Sequence, residues 1–459
     1  MFDSMGGQAP QRSAAGAGLP VDAATVRGWT TRLLGVDREA GDAGRIDLIR
    51  ALEELACAAA GTQAVVTVDF DASQRAAAAA RGVPPRRQGR GIASQIALAR
   101  RESPHRGQQH HGLAKVLDTE MTHTRWALRT GKITEWRATV LARETACLSR
   151  EDRATVDRAL AGDPDALEEY GERELIAAAR KLAYQLDPAS YVARRRKAES
   201  ERRVTLRPAP DVMSILSATV PVAQGVAMIA ALGREADRLR AQGDPRSRGQ
   251  AMADTLVARV TQATPTAEGG TPVVPVNIDL VISQAALLQG ADDPAYLPGF
   301  EWIPADLARE LVRMSVAARA RTWLRRLFTR PGNGALVAMD SRGRLFPAAM
   351  ARYLDRRDQT CRTPWCDAPI RHRDHVVAHE AGGPTSADNG QGLCEACNLA
   401  KQTHRWQARP RPGPRHTVET ATPTGHRYTS RAPQPPGSPP PLAPVVRIDL
   451  AYADLELVA

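Results

Sequence analysis

The chain reads Cys361-Arg-Thr-Pro-Trp-Cys366 and, after Asp374-His375, Gly382-Gly383 and Asn389, continues as Cys394-Glu-Ala-Cys397-Asn398-Leu-Ala-Lys401. Four of the six cysteines of the chain lie in this segment, as two closely spaced pairs. Between and beside the pairs are polar residues of the types that hydrolytic sites use. The segment therefore combines a structural metal site with a candidate hydrolytic site.

The two cysteine pairs predict a zinc site. Four residues lie between Cys361 and Cys366, two lie between Cys394 and Cys397, and 27 separate the pairs. Each pair can hold one edge of a tetrahedron, so the four thiolates form a complete structural Zn²⁺ site. Ligand bonds also suit a segment with few large apolar residues, since they replace a core that it cannot build. A redox pair is the alternative for Cys394 and Cys397, and the second pair favours zinc.

Length and charge limit the kind of protein. At 459 residues the chain is long enough for two or three domains. A net charge of +11 indicates a polyanionic partner, while an aromatic content of 4% disfavours base-stacking platforms, which need exposed rings. The start has no basic region followed by an apolar run, and no stretch is long and apolar enough to span a membrane. We expect a cytoplasmic protein without membrane contact.

Hydropathy and composition predict five units. These are a disordered N-terminus (1–20), a helical domain (21–265), a mixed α/β connecting segment (266–346), the zinc domain (347–405) and a hairpin with a Pro-rich tail (406–459). The fold class is thus a mainly α N-terminal domain with a small α/β segment, followed by a small zinc-stapled domain.

Helix signals dominate the first half of the chain. Thr134 and Ser149 are placed to cap helices, and Asp244-Pro245 predicts a third start. Apolar stripes with helical spacing comprise Ile46, Ile49, Leu52 and Leu55, and then Val222, Val226, Ile229, Leu232, Ala236 and Leu239.

Strand signals follow. Residues 273–282 predict a strand, residues 335–346 a short hairpin, and residues 416–430 a hairpin that turns at Pro423-Thr-Gly425. Helices are predicted from Pro304 to about Ala320 and over 347–358.

The polar residues of the zinc domain follow an ordered pattern. Asp374-His375 ends a short β-prone run (370–377), Asn389 lies in the turn-prone sequence that follows, and Asn398 and Lys401 belong to the first turns of a helix. The predicted order is strand, loop, strand and helix, with a cysteine pair at each end.

Residues 356–403 resemble the HNH endonucleases, whose ββα-metal fold is often flanked by two such zinc pairs. The order and spacing of the cysteines, Asp374-His375, Gly382-Gly383, Asn389 and Cys-x2-Cys-Asn-x2-Lys support this. The chain departs from the family at Asn398, where a histidine is usual, and is similar there to the HNN subgroup.

The resemblance implies a role for each residue. His375 is the general base that activates water, since an imidazole ordinarily titrates near neutrality. Asp374 and Asn398 bind one divalent cation, Mg²⁺ or Mn²⁺, and Asn389 orients His375 or its backbone. Arg373 and Lys401 are candidate phosphate contacts. Alternative ligands are His372, His379 and His404.

Asp374 and His375 are adjacent, and neighbouring side chains of a strand point to opposite faces. Both can serve one site only if the strand ends or bulges there, which we predict. Taken singly, each of these residues is more often an ordinary surface or loop residue.

Three basic patches are candidate DNA contacts. They contain Arg194–Lys197 with Arg202 and Arg203; Arg319, Arg321, Arg325, Arg326 and Arg330; and Arg81, Arg86, Arg87 and Arg90. Such side chains give salt-sensitive affinity for a nucleic-acid backbone. A solvated helix face with acidic neighbours is the alternative, and Glu199 and Glu201 favour it for the first patch.

Residues 92–312 resemble the helical domain of unknown function that precedes HNH segments in many actinobacterial proteins, the thirteen-E-twelve repeat family. The resemblance rests on four sequences: Gly131-Lys-Ile-Thr-Glu-Trp-Arg137, Ser149-Arg-Glu-Asp-Arg153, Arg202-Arg-Val-Thr-Leu-Arg-Pro-Ala-Pro210 and Gly243-Asp-Pro-Arg246. It implies no mechanism.

Together these observations favour a metal-dependent endonuclease that hydrolyses DNA. A non-catalytic zinc-stapled module that binds nucleic acid or protein is the first alternative. In the second alternative the helical domain is an assembly platform that regulates the nuclease. Such a platform can assemble as a homo-oligomer.

Overall fold

The computed structural model describes residues 21–261, 280–317, 340–341 and 345–437. Its first part is helical. The helices are α1 (Ala23–Arg32), α2 (Asp42–Ala80), α3 (Ile92–Arg100), α4 (Pro104–Thr119), α5 (Thr122–Arg129), α6 (Glu135–Glu144), α7 (Arg150–Ala161), α8 (Pro164–Glu169), α9 (Glu172–Leu186), α10 (Pro188–Ser200), α11 (Val222–Ala241) and α12 (Arg248–Thr261). The predicted caps are confirmed, because Thr134 and Ser149 accept hydrogen bonds from the amides of Arg137 and Asp152.

The helical core lies where α2 and α4 to α9 meet. Its fully buried side chains include Leu117, Met121, Leu128, Leu141, Leu167 and Leu175. Close approach depends on Gly61 in α2, since a Cβ there would lie 2.9 Å from the backbone nitrogen of Arg129 in α5. Small residues at such a contact allow two helices to pack directly.

The first predicted apolar stripe is exposed along α2, and the second is buried only toward the end of α11, at Ala236. Ile46 and Ile49 of α2 are 65% and 62% exposed, and Val222 and Val226 of α11 are 82% and 65% exposed. The helix assignments are therefore confirmed, while burial of the stripes is confirmed only toward the end of α11. In α2 the buried positions begin further along, with Cys57, because only that part of the helix faces α4 and α5.

A hairpin missed by the sequence analysis interrupts the helical part. Strands β1 (Arg203–Ala209) and β2 (Met213–Thr219) pair antiparallel through a turn with positive φ at Asp211 and Val212. All of β2 is exposed. The helix start predicted at Asp244 is also displaced, because Asp244 accepts from the Arg246 amide and α12 begins at Arg248.

A small mixed segment precedes the zinc domain. It contains α13 (Gln284–Leu288), β3 (Ala295–Tyr296), β4 (Trp302–Ile303), α14 (Ala305–Ala317) and β5 (Asp340–Ser341). The start predicted at Pro304 is confirmed. Of the predicted strand over 273–282, only 280–282 are described, and Val281 bridges Tyr296 there. Most of the hairpin predicted over 335–346 lies outside the described residues.

The C-terminal part contains α15 (Ala348–Asp358), β6 (His372–His375), β7 (Thr385–Ser386), β8 (Gly390–Leu393), α16 (Glu395–Lys401), β9 (Gln407–Arg411), β10 (Thr417–Ala421) and β11 (Arg427–Arg431). Strands β6 and β8 pair antiparallel and α16 follows, which confirms the predicted strand, loop, strand and helix order. The predicted hairpin is β10 and β11, and β9 adds a third strand on the other edge of β10.

The helical part contacts the zinc domain through the start of α3. Gly91 has a positive φ, and a Cβ on it would lie 3.1 Å from the indole nitrogen of Trp406. A small cavity of about 20 Å³ lies between α3 and the zinc domain and is lined by Leu98, Pro364 and Ala400 among others. The two parts therefore meet beside the cysteines.

Candidate active site and metal centre

The four cysteines of the zinc domain lie together. The sulfur atoms of Cys361, Cys366, Cys394 and Cys397 all lie within 4.8 Å of one another and all four residues are buried. Cys394 also caps α16, because its sulfur accepts a hydrogen bond from the Cys397 amide. A compact, buried set of four thiols fits a tetrahedral metal, so this cluster can hold one zinc ion.

A buried ionic network lies beside the cysteines. Asp358 accepts a hydrogen bond of 2.7 Å from the Gly392 amide and pairs with Arg357 and Arg362. Burial lowers the pKa of Arg362 to about 10, although Asp358 opposes this shift. Nothing in the sequence separates these residues from ordinary surface charges, so the sequence analysis missed them. They connect the end of α15 to β8.

Asp374 and His375 lie at the end of β6, as predicted, since the strand ends at His375 without a bulge. The Asp374 carboxylate faces α16, while the imidazole of His375 is buried on the other side of the strand. Its Nε2 lies 2.8 Å from the Thr385 hydroxyl, and its ring lies 4.5 Å from that of Phe346. The two side chains therefore lie on opposite sides of β6, and the backbone of the two residues lies between them.

Asn389 holds the chain that follows His375. Its Oδ1 accepts from the Val377 amide at 2.9 Å, and its Nδ2 donates to the carbonyls of Val377 at 3.0 Å and Pro384 at 2.8 Å. Gly383 permits this arrangement, because a Cβ there would overlap the Val377 carbonyl and lie 2.7 Å from Asn389 Nδ2. Asn389 thus contacts the backbone after His375, and these bonds do not involve the imidazole.

Lys401, the last residue of α16, reaches the end of β6. Its ammonium donates to Asp374 Oδ2 at 2.5 Å and also to the backbone carbonyl of His375. Asn398 lies one turn earlier on the same face of α16. Its Oδ1 is buried and has no hydrogen-bond partner among the described residues. A carboxylate, a backbone carbonyl and an unpaired amide carbonyl are oxygen ligands of the kind that Mg²⁺ and Mn²⁺ prefer.

The candidate phosphate contacts are engaged within the protein. Arg373 makes a two-pronged ion pair with Asp355 of α15, at 2.7 and 2.5 Å, and Lys401 is bound as described. Of the alternative ligands, His372 and His404 are exposed, and the His379 ring lies 5.7 Å from that of His375.

The predicted basic patches have different surroundings. In the first, Arg194 bonds the Glu144 carbonyl and Arg195 pairs with Glu199, so the alternative of a solvated, ion-paired helix face describes it better. The second lies outside the described residues. In the third, all four arginines are exposed. No helix in the described ranges is long and apolar enough to cross a membrane.

Two family models match the chain. One, described as a domain of unknown function (DUF222), matches residues 49–358, and the other, described as HNH endonuclease, matches residues 359–404. No curated protein and no solved structure matches the chain. The first model covers most of the predicted helical domain, all of the mixed segment and the first residues of the predicted zinc domain, up to 358. Because it covers more than half of the chain, the protein belongs to the DUF222 family and carries an HNH endonuclease domain directly after it.

Proposed function

We propose that the HNH domain is a metal-dependent endonuclease that hydrolyses DNA phosphodiester bonds. The observation that supports this best is the pairing of Lys401 with Asp374 and the His375 carbonyl beside the unpaired Oδ1 of Asn398. An ammonium group already lies at this cluster of oxygens, so the cluster attracts a cation. The set also agrees with the membership of the domain in a nuclease-type family.

Asp374 and Asn398 would hold a divalent cation, Mg²⁺ or Mn²⁺. When bound, such an ion supplies charge stabilisation to a phosphate oxygen and to the leaving 3′ oxygen. Lys401, if released from Asp374, would stay close by on its flexible side chain, where its ammonium could contact a phosphate group. Arg373 keeps its ion pair with Asp355 in this scheme and contributes by fixing β6 against α15.

His375 is the proposed general base. A neutral imidazole that donates its Nε2 proton to the Thr385 hydroxyl retains Nδ1 as the basic nitrogen, which can accept a proton from water. The Thr385 hydroxyl thus holds Nε2 in place, and the Phe346 ring packs against the imidazole. Asn389 contributes indirectly, because it fixes the backbone that leaves His375.

The test is nicking of supercoiled plasmid with Mg²⁺ or Mn²⁺, compared for the wild type, His375→Ala and His372→Ala. The exposed His372 is the matched control on the same strand. We expect nicking that requires the metal, falls by at least about a hundredfold in His375→Ala and persists in His372→Ala. Titration calorimetry with Mn²⁺ separately measures ion binding, which Asp374→Asn should weaken.

Two results would contradict the proposal. Nicking that survives His375→Ala would remove His375 as the base and direct attention to His379. No cleavage of single- or double-stranded DNA with any metal, by a protein that retains zinc, would favour a non-catalytic module that binds nucleic acid or protein. The replacement of the usual histidine by Asn398 is the observation that supports this alternative.

The helical part has a second candidate role in self-association. In the described part of the chain, β1 and β2 pair with no further strand, and Leu206 and Leu216 are 52% and 50% exposed, beside the exposed start of α11. Isolated hairpins are marginally stable in water, so a second copy of this chain would complete the packing. Light scattering should show a dimer or larger oligomer that Leu206→Ser weakens, and a wild-type monomer at all concentrations would exclude this role.

A further inference from the structure

The sheet of β9, β10 and β11 has one strongly basic side. Alternate residues of a strand lie on the same side of a sheet. The strand register places Arg409, Arg411, Arg427 and Arg431 on the same side as Glu419. These five residues form the arginine face, which has four positive charges and one negative charge. The HNH model ends at residue 404, so the face lies beyond the matched domain.

Glu419 organises three of the arginines. Its Oε1 accepts from Arg409 at 2.9 and 2.6 Å and from Arg427 at 2.6 Å, and its Oε2 accepts from Arg411 at 3.0 and 2.6 Å. The side chains of Arg409 and Arg427 are still 49% and 58% exposed. A guanidinium carries five N–H donors, so each group has further donors that can face solvent. One carboxylate therefore holds three cationic groups in fixed positions.

The other side of the sheet is packed. Val418 is 1% exposed, and the ring of Tyr428 contacts that of Trp365 edge-on at 5.9 Å. Arg362, next to the first zinc-site cysteine, donates to the carbonyls of His416 and Ser430 at 3.1 and 2.9 Å. These contacts fix the sheet to the zinc domain with the arginine face outward.

We propose that the arginine face binds the sugar-phosphate backbone of the duplex DNA on which the HNH domain acts. The proposal rests on the proposed function for the identity of the ligand. Guanidinium groups held in place match phosphate oxygens with two parallel hydrogen bonds, and the net positive charge complements a polyanion. The face has no aromatic residue on which unpaired bases can stack, so it fits a duplex better than a single strand.

The test measures binding without cleavage. Fluorescence anisotropy of a labelled duplex, in buffer without Mg²⁺ or Mn²⁺ but with zinc retained, compares the wild type with Arg409→Gln/Arg427→Gln over a range of salt. We expect affinity to fall by about tenfold or more and the slope of log K against log salt to fall by about 2. The double variant Arg27→Gln/Arg45→Gln, at exposed sites on α1 and α2, is the charge-matched control and should bind like the wild type.

Two further variants separate charge from folding. Arg431→Gln leaves the three pairs of Glu419 in place and should lower the slope by about 1. Arg409→Lys/Arg427→Lys keeps the charge, so its slope of log K against log salt should stay close to that of the wild type.

An unchanged slope in both Arg→Gln variants would overturn the proposal, as would an equal loss in the α1 and α2 control. A loss seen only with a single-stranded oligonucleotide would overturn the duplex assignment. Normal, face-dependent binding by a protein that never nicks DNA would contradict the proposed function and support the arginine face.

Discussion

Lys401 donates hydrogen bonds to the carboxylate of Asp374 at 2.5 Å and to the carbonyl of the next residue, His375. One side chain of α16 therefore joins both residues at the end of β6, although their own side chains lie on opposite sides of the strand. The same two oxygen-bearing groups, together with the Asn398 amide carbonyl, are the candidate ligands of a divalent cation. Binding of a cation by these groups would therefore compete with the Lys401 pair.

Replacement of Lys401 by methionine should strengthen Mn²⁺ binding. The ammonium repels a second cation a few ångströms away by more than about 1 kcal/mol, so we expect affinity to rise about tenfold. Titration calorimetry measures this, and Lys181→Met on the exposed side of α9 is the control. Unchanged or weaker binding would mean that the ion does not take the position of the ammonium.

The zinc cluster should be required for the fold of the HNH domain. Cys394→Ser/Cys397→Ser removes two of the four ligands, and we expect the bound zinc to be lost and β6, β8 and α16 to unfold while the helical part stays folded. Metal analysis together with hydrogen exchange measures both effects. Cys147→Ser is the control, because this thiol lies outside the cluster. Full protection of β8 in the zinc-free variant would contradict the prediction.

Asp358→Ala should destabilise the HNH domain strongly. The substitution leaves the buried guanidinium groups of Arg357 and Arg362 without their carboxylate, at a cost of about 3–5 kcal/mol. Urea unfolding, monitored through the release of zinc, measures the loss in the free energy of unfolding. Asp355→Ala breaks the more exposed pair with Arg373 and should cost about 1 kcal/mol or less. Similar losses of free energy in the two variants would show that the buried network stabilises the domain no more than the exposed pair does.

His416 should make the domain sensitive to mild acid. Burial, reinforced by Arg357, lowers its pKa from 6.5 to about 4, and its Nδ1 has no hydrogen-bond partner among the described residues. Because the folded pKa is the lower one, the unfolded chain binds the proton first. The stability that the neutral ring contributes is complete above about pH 6.5 and is lost as the pH falls to about 4, by about 3 kcal/mol in total.

Urea unfolding between pH 4 and 8 tests this in the wild type and in His416→Gln. In the His416→Gln variant the free energy of unfolding should depend little on pH between 4 and 6.5. The exposed control His404→Gln should keep the wild-type dependence. An equal dependence in all three proteins would assign the acid sensitivity to other groups.

Much of the HNH domain follows from its sequence because the determinants are local. The spacing of the cysteine pairs predicts the four-cysteine cluster, and the order of Asp374-His375, Asn389 and Asn398 predicts strand, loop, strand and helix. The caps at Thr134 and Ser149 are equally local, since each side chain bonds an amide within its own helical turn.

What only the tertiary structure decides are contacts between distant segments. Periodicity identifies the helix that carries Ile46 and Ile49, but their exposure depends on where α4 and α5 reach along α2. Likewise, the pairing of Lys401 with Asp374 and the convergence of three arginines on Glu419 depend on which elements meet in space. Sequence alone specifies residue types and local geometry, while the partner of a charged side chain is set by packing.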